Sequence, residues 1–248
     1  MLKNKEIIAL IPARGGSKSI PKKNIVDLGG FPLISYSIVA AKLSKYISRV
    51  IVSTDSEEIA KIAKKYGAEV PFMRPAEFAT DEATDYEVFK HAIEWFNKNE
   101  NYTPEYWVHL RSTTPLREIE FIDKGIEEFL KNPKADCLRS GYELRESPHK
   151  CFIIEKGFFT GLFPQDKRLD YTNLPRQSFP KAYQPDGYVD VIKRKTVIED
   201  GVLHGSKILP IITPNTGELD RPEDIEFIKF SLEKGSYKIY EYLKNNFK

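Results

Sequence analysis

The sequence has few cysteines and no long apolar run, and each shortage excludes a class of protein. Only two of its 248 residues are cysteine, which argues against a disulfide framework and predicts small core thiols in a reducing cytoplasm. The N-terminal apolar stretch, residues 7–11, is shorter than the roughly 7–15 residues of a secretory signal. No segment reaches the ~18 apolar residues of a membrane span. The sequence therefore predicts a cytoplasmic protein with no membrane partner.

An excess of charge of either sign is also missing. The chain has 38 basic and 36 acidic residues, for a net charge of +2, so it does not have the character of a nucleic-acid binder. Its four histidines are scattered and form no His-x-x-x-His pair, which argues against a zinc site. A length of 248 residues indicates one principal domain with an elaboration.

Apolar runs of strand length alternate with segments of helical spacing up to about residue 140. Strands are predicted at residues 7–11, 50–53, 105–110 and 135–140, and helices at 32–44, 56–67, 84–96 and 118–132. Asp55 with Glu58, and Thr84 with Glu87, have the spacing of helix capping boxes. This alternation predicts an α/β fold with a mostly parallel sheet covered on both faces.

The pattern changes at about Gly141. Two short β-like runs flank Gly157 and predict a hairpin, and a polar, proline-punctuated stretch follows at residues 165–187. Strands at 187–192 and 207–213 and a helix at 221–234 then resume the α/β pattern. We therefore predict a single domain over residues 1–248 with an inserted arm at about 141–187, of the kind used for binding or subunit contact.

A basic loop, "IPARGGSKSIPKKN" (residues 11–24), follows the first strand. Ligands of open α/β sheets bind at the carboxyl ends of the strands. Gly15 and Gly16 let backbone N–H groups approach an anion, and Arg14, Lys18, Lys22 and Lys23 add positive charge. The loop matches neither the Walker pattern nor the dinucleotide fingerprint. Residue chemistry alone leaves a phosphate site and a solvated basic turn equally open.

The whole loop, however, resembles the opening signature of the CMP-sialic acid synthetases, the acylneuraminate cytidylyltransferase family. Further matching segments follow in the same order at residues 49–84, 113–117, 175–187 and 217–225. The resemblance implies a Rossmann-like, nucleotide-binding three-layer sandwich. It also implies a nucleotidyltransferase that couples CTP to a sialic-acid-like nonulosonic acid, a small acidic sugar, and releases pyrophosphate during surface glycan synthesis.

The resemblance also implies which residues bind the nucleotide. Arg14 and Lys23 would contact the phosphates and act in catalysis, and Lys18, Gly15 and Asn24 would lie nearby. The main chain around Ala13 would help to hold the cytosine. Arg74 is a further nucleotide contact in this pattern, and a surface arginine after a strand is the alternative.

The late acidic motif of the family is represented by Glu218-Leu219-Asp220. Alternation along an extended strand would place both carboxylates on one side, and Mg²⁺ prefers a few carboxylates with phosphate oxygens and water. Both are therefore candidate magnesium ligands, with Asp220 also counted as catalytic. The first position is usually aspartate in the family. The alternative is a solvent-facing Glu218 and an Asp220 that caps the following helix.

Two departures from the family pattern concern the acceptor. The strand-end motif is usually Leu-Gln-Pro-Thr-Ser-Pro-Leu-Arg, and Arg111 replaces its glutamine; the usual Arg-Pro-Asn-Gly of the arm is here residues 184–187, with Gln184 and Asp186. Either the cation has relocated and still holds the carboxylate of a nonulosonic acid, or Arg111 binds the phosphate of a sugar 1-phosphate, with GTP as a further option. An ion-paired structural role for Arg111 is also open.

The arm retains two basic family positions, Arg176 and Lys150, which the resemblance assigns to substrate binding across a homodimer interface. Its aromatic residues fit such an interface or a small satellite core; they are Phe152, Phe158, Phe159, Phe163, Tyr171, Phe179, Tyr183 and Tyr188. A non-catalytic nucleotide-binding protein is the remaining alternative, and the altered acidic and acceptor motifs are what favours it.

Overall fold

A six-stranded sheet lies at the centre of the protein, whose computed structural model describes residues 6–247. In spatial order its strands are β10 (Ile208–Ile212), β6 (Cys137–Glu143), β9 (Tyr183–Lys193), β5 (Tyr106–His109), β1 (Ile7–Pro12) and β4 (Arg49–Ser53). The predicted domain includes residues 1–5 and 248, and the segment considered as a secretory signal includes residues 1–5. These residues lie outside the described ones.

The sheet is mostly parallel, which confirms the prediction. β1 pairs in parallel with β4 and β5, and β10 pairs in parallel with β6, whereas β9 is antiparallel to both of its neighbours. The chain leaves β6 at the carboxyl edge of the parallel strands and re-enters the sheet from that edge after the arm. β9 therefore runs against the other five strands.

Helices cover both faces of the sheet. Within residues 6–247 the α-helices are α1 (Leu33–Leu43), α2 (Glu57–Lys65), α3 (Asp85–Asn99), α4 (Ile119–Lys131), α5 (Arg194–Ile198), α6 (Pro222–Lys234) and α7 (Lys238–Asn246). Alternate side chains of β1 enter different cores. Ile7, Ala9 and Ile11 belong to a core that includes residues of α1, α2, α4, α6 and α7, and Ile8 and Leu10 belong to one with α3 and α5. This arrangement confirms the three-layer sandwich.

The N-termini of α3 and α2 test the two predicted capping boxes. The Thr84–Glu87 capping box is present, but the Asp55–Glu58 box is wrong. Ser56 is the N-cap of α2 and accepts the Ile59 N–H, because the Asp55 carboxylate instead accepts the Gly15 N–H.

The cap of α6 also differs from the sequence-based alternative. Its N-cap is Arg221, and the Asp224 carboxylate accepts the N–H groups of both Asp220 and Arg221. The Asp220 carboxylate is therefore not the cap, and it is free to contact another part of the chain.

The arm leaves and rejoins the sheet within its strands, since Gly141 lies in β6 and Gly187 lies in β9. The predicted hairpin is confirmed: β7 (Phe152–Glu155) pairs with β8 (Phe158–Gly161), through Lys156 and Gly157 with φ of 51° and 84°. Two positive φ values are typical of a type I′ turn. A second small ribbon pairs β2 (Asp27–Leu28) with β3 (Phe31–Pro32).

Over residues 6–247, the helices are all too short or too polar to cross a membrane.

Candidate functional site

A cleft of about 400 Å³ lies at the carboxyl edge of β1 and β5. The loop after β1 forms one wall, and segments before and after the start of α3 form another. Five cationic side chains and two carboxylates line it: Arg14, Lys18, Lys23, Arg74, Arg111, Asp81 and Asp85. This excess of positive charge in a concave site favours an anionic ligand.

The loop after β1 is held by main-chain contacts. The Ala13 N–H donates to the Ser53 carbonyl at 2.9 Å and prolongs the pairing with β4. The Gly15 N–H donates to Asp55 Oδ1 at 2.8 Å, and a Cβ at Gly15 would lie 3.1 Å from Ser56 Cβ. Gly15 therefore permits a close approach between the loop and the start of α2, while Gly16 and not Gly15 lines the cleft.

Two cations of the loop converge on one carboxylate. The Arg14 guanidinium lies 2.8 Å from Asp81 Oδ1 and donates to the Thr80 carbonyl at 2.7 Å, and Lys18 Nζ lies 2.6 Å from Asp81 Oδ2. Lys18, followed by Arg14, lowers the pKa of Asp81 below its ordinary value. The two cations are thus arranged to share a single anionic group.

Lys23 and Asn24 join the loop to distant segments. Lys23 Nζ lies 3.1 Å from Asp220 Oδ1. The buried Asn24 amide donates to the Arg14 carbonyl at 2.8 Å, and its oxygen accepts from the Ser112 hydroxyl after β5. The Asn24 side chain therefore fixes the Arg14 backbone and closes the floor of the cleft.

Arg74 is a buried cation whose hydrogen-bond partners, within residues 6–247, are a hydroxyl and main-chain carbonyls. Its Nε donates to Ser53 Oγ at 3.0 Å, and its other donors face the carbonyls of Ser53 and Phe78. Burial lowers the pKa of Arg74 to about 10, so the side chain stays protonated at neutral pH. It adds a buried positive charge to the side of the cleft next to β4, within electrostatic reach of the Asp55 and Asp85 carboxylates.

The two late carboxylates line one depression of about 420 Å³ beside the cleft. Leu219 between them is fully buried, so the side chains of Glu218 and Asp220 alternate with it, as the sequence predicts. Glu218 Oε1 accepts the Gly187 N–H at 2.5 Å. A Cβ at Gly187 would lie 2.9 Å from that oxygen and 2.7 Å from Thr114 Oγ1, which favours glycine at this position.

The arm residues that were predicted to bind the sugar lie in different places, and none of them lines the cleft. Gln184 and Asp186 line the depression of Glu218, but the Asp186 carboxylate is buried and accepts from Ser140, Thr213 and the Tyr188 N–H. Arg176 pairs with Glu143 at 3.2 Å, and Lys150 ends a short 3-10 helix. The structure does not bring Arg176 or Lys150 to the cleft of their own chain.

Several cleft residues escaped the sequence analysis. They are Phe78, Thr80, Asp81, Asp85, His109 and Ser112. The rule that ligands bind at the carboxyl ends of parallel strands would have found His109 and Ser112, which end and follow β5. The acidic residues before α3 had no signal of their own, because their approach to the basic loop depends on tertiary packing.

Metal ligation by the protein alone is not indicated: residues 6–247 contain no group of three or more His, Cys, Asp or Glu side chains arranged to hold a metal ion. The Glu218–Asp220 pair still fits Mg²⁺, which is usually bound by one or two carboxylates together with substrate phosphates.

The fold and cleft define an α/β protein with a cationic cleft at the strand ends, where ligands of open α/β sheets bind. A family model described as cytidylyltransferase matches residues 8–154, and the chain belongs to this family. The family identified from the sequence is thereby confirmed.

Curated relatives cover almost the whole chain. Post-translational flagellin modification protein B of Campylobacter coli is 33% identical over 90% of this chain and 92% of its own. The pseudaminic acid cytidylyltransferase of Campylobacter jejuni is 31% identical over 90% and 94%. The N-acylneuraminate cytidylyltransferase of Escherichia coli is 32% identical over 90% of this chain and 50% of its own.

Solved structures confirm the fold. A CMP:2-keto-3-deoxy-manno-octonic acid synthetase complexed with CTP has a TM-score of 0.68 at 14% identity, covering 93% of this chain and 99% of its own. A cytidylyltransferase from Leptospira borgpetersenii has a TM-score of 0.60 at 17% identity, covering 98% and 95%.

Proposed function

We propose that the protein couples CTP to a nonulosonic acid, a sialic-acid-like sugar, and so forms a CMP-sugar and pyrophosphate. The observation that carries this proposal is the cationic cleft over β1, in a chain that belongs to the cytidylyltransferase family. The relatives named for pseudaminic and N-acylneuraminic acids support a nonulosonic acid as the acceptor.

In the proposed reaction a hydroxyl oxygen of the sugar attacks the α-phosphorus of CTP, and the bond to the pyrophosphate oxygen breaks. Negative charge grows on the departing pyrophosphate, so the protein acts mainly by positioning and neutralisation. Arg14 and Lys23 would bind the phosphates, with Lys18 as a more mobile charge, since its side chain is 82% exposed. Asp81 would yield its two cations to the triphosphate.

Mg²⁺ is the proposed cofactor, held by Asp220 and Glu218 together with phosphate oxygens. The metal would neutralise phosphate charge and orient the triphosphate. Lys23 now contacts Asp220, so we propose that this lysine turns to the phosphates when nucleotide and metal bind.

Arg74 lines the β4 side of the cleft, where we place the nucleoside, and the buried Ala13, between the lining residues Pro12 and Arg14, would contribute through its main chain. The Ala13 N–H is used by Ser53, which leaves the Ala13 carbonyl as its main-chain contact. Asn24 would act through the Arg14 backbone that it holds.

We further propose a homodimer assembled through the arm. The hairpin exposes large apolar side chains, with Ile154, Phe158 and Phe159 each more than 70% exposed, and burial against a second copy would remove this surface from water. Arg176 and Lys150, which lie outside their own cleft, would then serve the cleft of the partner. The cytoplasm is the proposed compartment.

Pyrophosphate release tests the activity. Each nucleoside triphosphate would be offered with Mg²⁺ against N-acetylneuraminic, pseudaminic and legionaminic acids and against N-acetylglucosamine 1-phosphate. Product from CTP and a nonulosonic acid supports the proposal. Turnover with the sugar 1-phosphate alone would replace it with a sugar-1-phosphate nucleotidyltransferase, and nucleotide binding without any product would indicate a non-catalytic protein.

Light scattering tests the dimer, which we expect for the native chain, with dissociation in Ile154→Asp. The exposed hydrophobic Val202 lies in the core domain, so Val202→Asp is the control. A monomeric native protein would contradict the proposed assembly.

A further inference from the structure

The guanidinium of Arg111 is fixed before any ligand binds. Its Nη2 lies 3.1 Å from Asp85 Oδ2, and its Nη1 lies 3.4 Å from the carbonyl oxygen of Asp186. The Arg111 and Asp85 side chains are 30% and 31% exposed, and both line the cleft. At this end of the cleft a ligand therefore meets an arginine–aspartate pair, in which the charge of the arginine is already balanced.

Asp85 is suited to stay ionised in this pair. It is the first residue of α3, and a helix N-terminus favours a carboxylate. Burial by itself raises the pKa of Asp85, but His109 and Arg111 together lower this pKa by more than burial raises it, so that the net shift is downward. At physiological pH, Arg111 therefore faces an ionised Asp85 carboxylate.

A buried layer supports Asp85 from behind. His109 is 1% exposed, with Nε2 3.9 Å from Asp85 Oδ2 and Nδ1 3.6 Å from Asp190 Oδ2. His204 Nε2 lies 3.4 Å from the same Asp190 oxygen. Because His109 of β5 and Asp190 of β9 are cross-strand partners in the sheet, this layer is held by the strands and limits the directions in which Asp85 can turn.

The pair lies at the acceptor end of the cleft. Arg74 is bonded to Ser53 of β4, whereas Arg111 follows β5, and β1 with its basic loop lies between these strands. A nucleotide with its phosphates at the loop and its nucleoside beside Arg74 leaves the Arg111 side for the acceptor.

We propose that Asp85 is a specificity-determining residue, which neutralises Arg111 and thereby selects an acceptor that presents an uncharged group with both a hydrogen-bond donor and an acceptor. A carboxylate oxygen of Asp85 accepts a hydrogen bond from the donor atom of that group, and the guanidinium of Arg111 donates a hydrogen bond to its acceptor atom. A secondary amide or a hydroxyl has this chemistry, whereas a phosphate monoester would be repelled by Asp85. This inference rests on the proposed function.

Asp85→Asn tests the selection, with Glu82→Gln as the matched control, because Glu82 is an exposed acid of the segment that leads into α3. In Asp85→Asn we expect the KM for the nonulosonic acid to rise at least about tenfold, the range of one charge-assisted hydrogen bond, with the KM for CTP unchanged. N-acetylglucosamine 1-phosphate should become a stronger competitive inhibitor against the sugar. Equal changes in both KM values, or no change relative to Glu82→Gln, would overturn the inference.

The single variant Arg111→Gln and the double variant Asp85→Asn/Arg111→Gln, which removes both charges, complete the double-mutant cycle. We expect the double variant to bind the acceptor better than Asp85→Asn alone, because no unpaired cation remains. Two losses that simply add would contradict the pairing. Acceptor analogues that carry an amide, a hydroxyl or a free amine at the same carbon then show whether the site prefers an amide or a hydroxyl. A preference for the amine would count against the inference.

A binding measurement keeps this inference separate from the proposed activity. Inorganic phosphate would be titrated by calorimetry into protein saturated with CTP, or into protein alone if CTP does not bind. Tighter phosphate binding in Asp85→Asn than in the native protein and in Glu82→Gln supports the role of Asp85 even without turnover. Equal binding in all three would refute it, while a native protein inactive with every nonulosonic acid would refute the proposed function.

Discussion

Lys23 Nζ lies 3.1 Å from Asp220 Oδ1, and this contact joins residues 197 positions apart. It links the basic loop after β1 to the acidic segment before α6, which are the two parts of the proposed triphosphate and metal site. The contact also orients the lysine at the edge of the cleft, where its side chain is 18% exposed.

Lys23→Met should therefore lower kcat/KM by at least about 100-fold, the usual effect of removing one preorganised donor to a developing negative charge. The unfolding free energy should change by less than about 1 kcal/mol, because an ion pair with an exposed partner contributes little. Steady-state kinetics and urea unfolding measure the two effects. Lys22→Met is the control, since Lys22 pairs with Glu58 on the exposed side of the loop; equal losses in both variants would contradict the assignment.

Asp220→Asn should raise the Mg²⁺ concentration needed for half-maximal activity about tenfold or more, because an amide is a weaker ligand for a hard cation than a carboxylate. Turnover as a function of Mg²⁺ concentration measures this shift, after a chelator has removed all metal. Glu223→Gln, an exposed acid in the first turn of α6, should leave the curve unchanged. Full activity of the native protein in excess chelator would rule out the metal.

Arg117→Leu should destabilise the fold by about 3 kcal/mol or more, because it leaves several buried carbonyl groups without a donor. The buried Arg117 guanidinium donates to the carbonyls of Gly187 and Tyr188, each at 2.6 Å, and to the carbonyl of Arg111. The urea midpoint is the measurement, with exposed Arg145→Leu as the control. A midpoint equal to that of the control would show that the contacts contribute nothing.

Lowering the pH should reduce the stability of the native protein more steeply than it reduces the stability of the Asp190→Asn variant. Burial raises the pKa of Asp190, but His109 and His204 lower it more, and the net shift is downward. A depressed folded pKa contributes stability above the unfolded value of about 3.9, and that stability is lost as the pH falls through the folded pKa. In urea unfolding measured from pH 7 to pH 3, the difference between the two midpoints should therefore narrow below about pH 5; a difference that stays constant with pH would contradict the shift.

One thiol per chain should react with Ellman's reagent in the folded protein. Burial, followed by the charge of Asp190, raises the pKa of Cys137 to about 12, whereas Cys151 is exposed, so the prediction of a core thiol is wrong for Cys151. Because the thiolate is the reactive form, Cys137 should react only after unfolding. Cys151→Ser should abolish the reaction of the folded protein, and two reactive thiols in native conditions would be inconsistent with this structure.

Local pattern was sufficient for much of the fold. The apolar run of β1 and the helical spacing in α1 to α4 are properties of neighbouring residues, so the parallel sheet and its two helical layers were predictable. The short helices α5 and α7 were not predicted, because a brief apolar pattern is a weak signal. The direction of β9 also escaped prediction, since it depends on the edge at which the arm re-enters the sheet.

The sequence by itself determined that a cationic loop follows a buried strand, and that an acid-x-acid pair precedes the last long amphipathic segment. Tertiary structure alone decided which charges meet. It placed Asp81 against Arg14 and Lys18, Asp85 against Arg111, and Asp220 against Lys23. Spacing along the chain fixes neighbours on one helix or strand, whereas contacts between distant segments follow from how the layers pack.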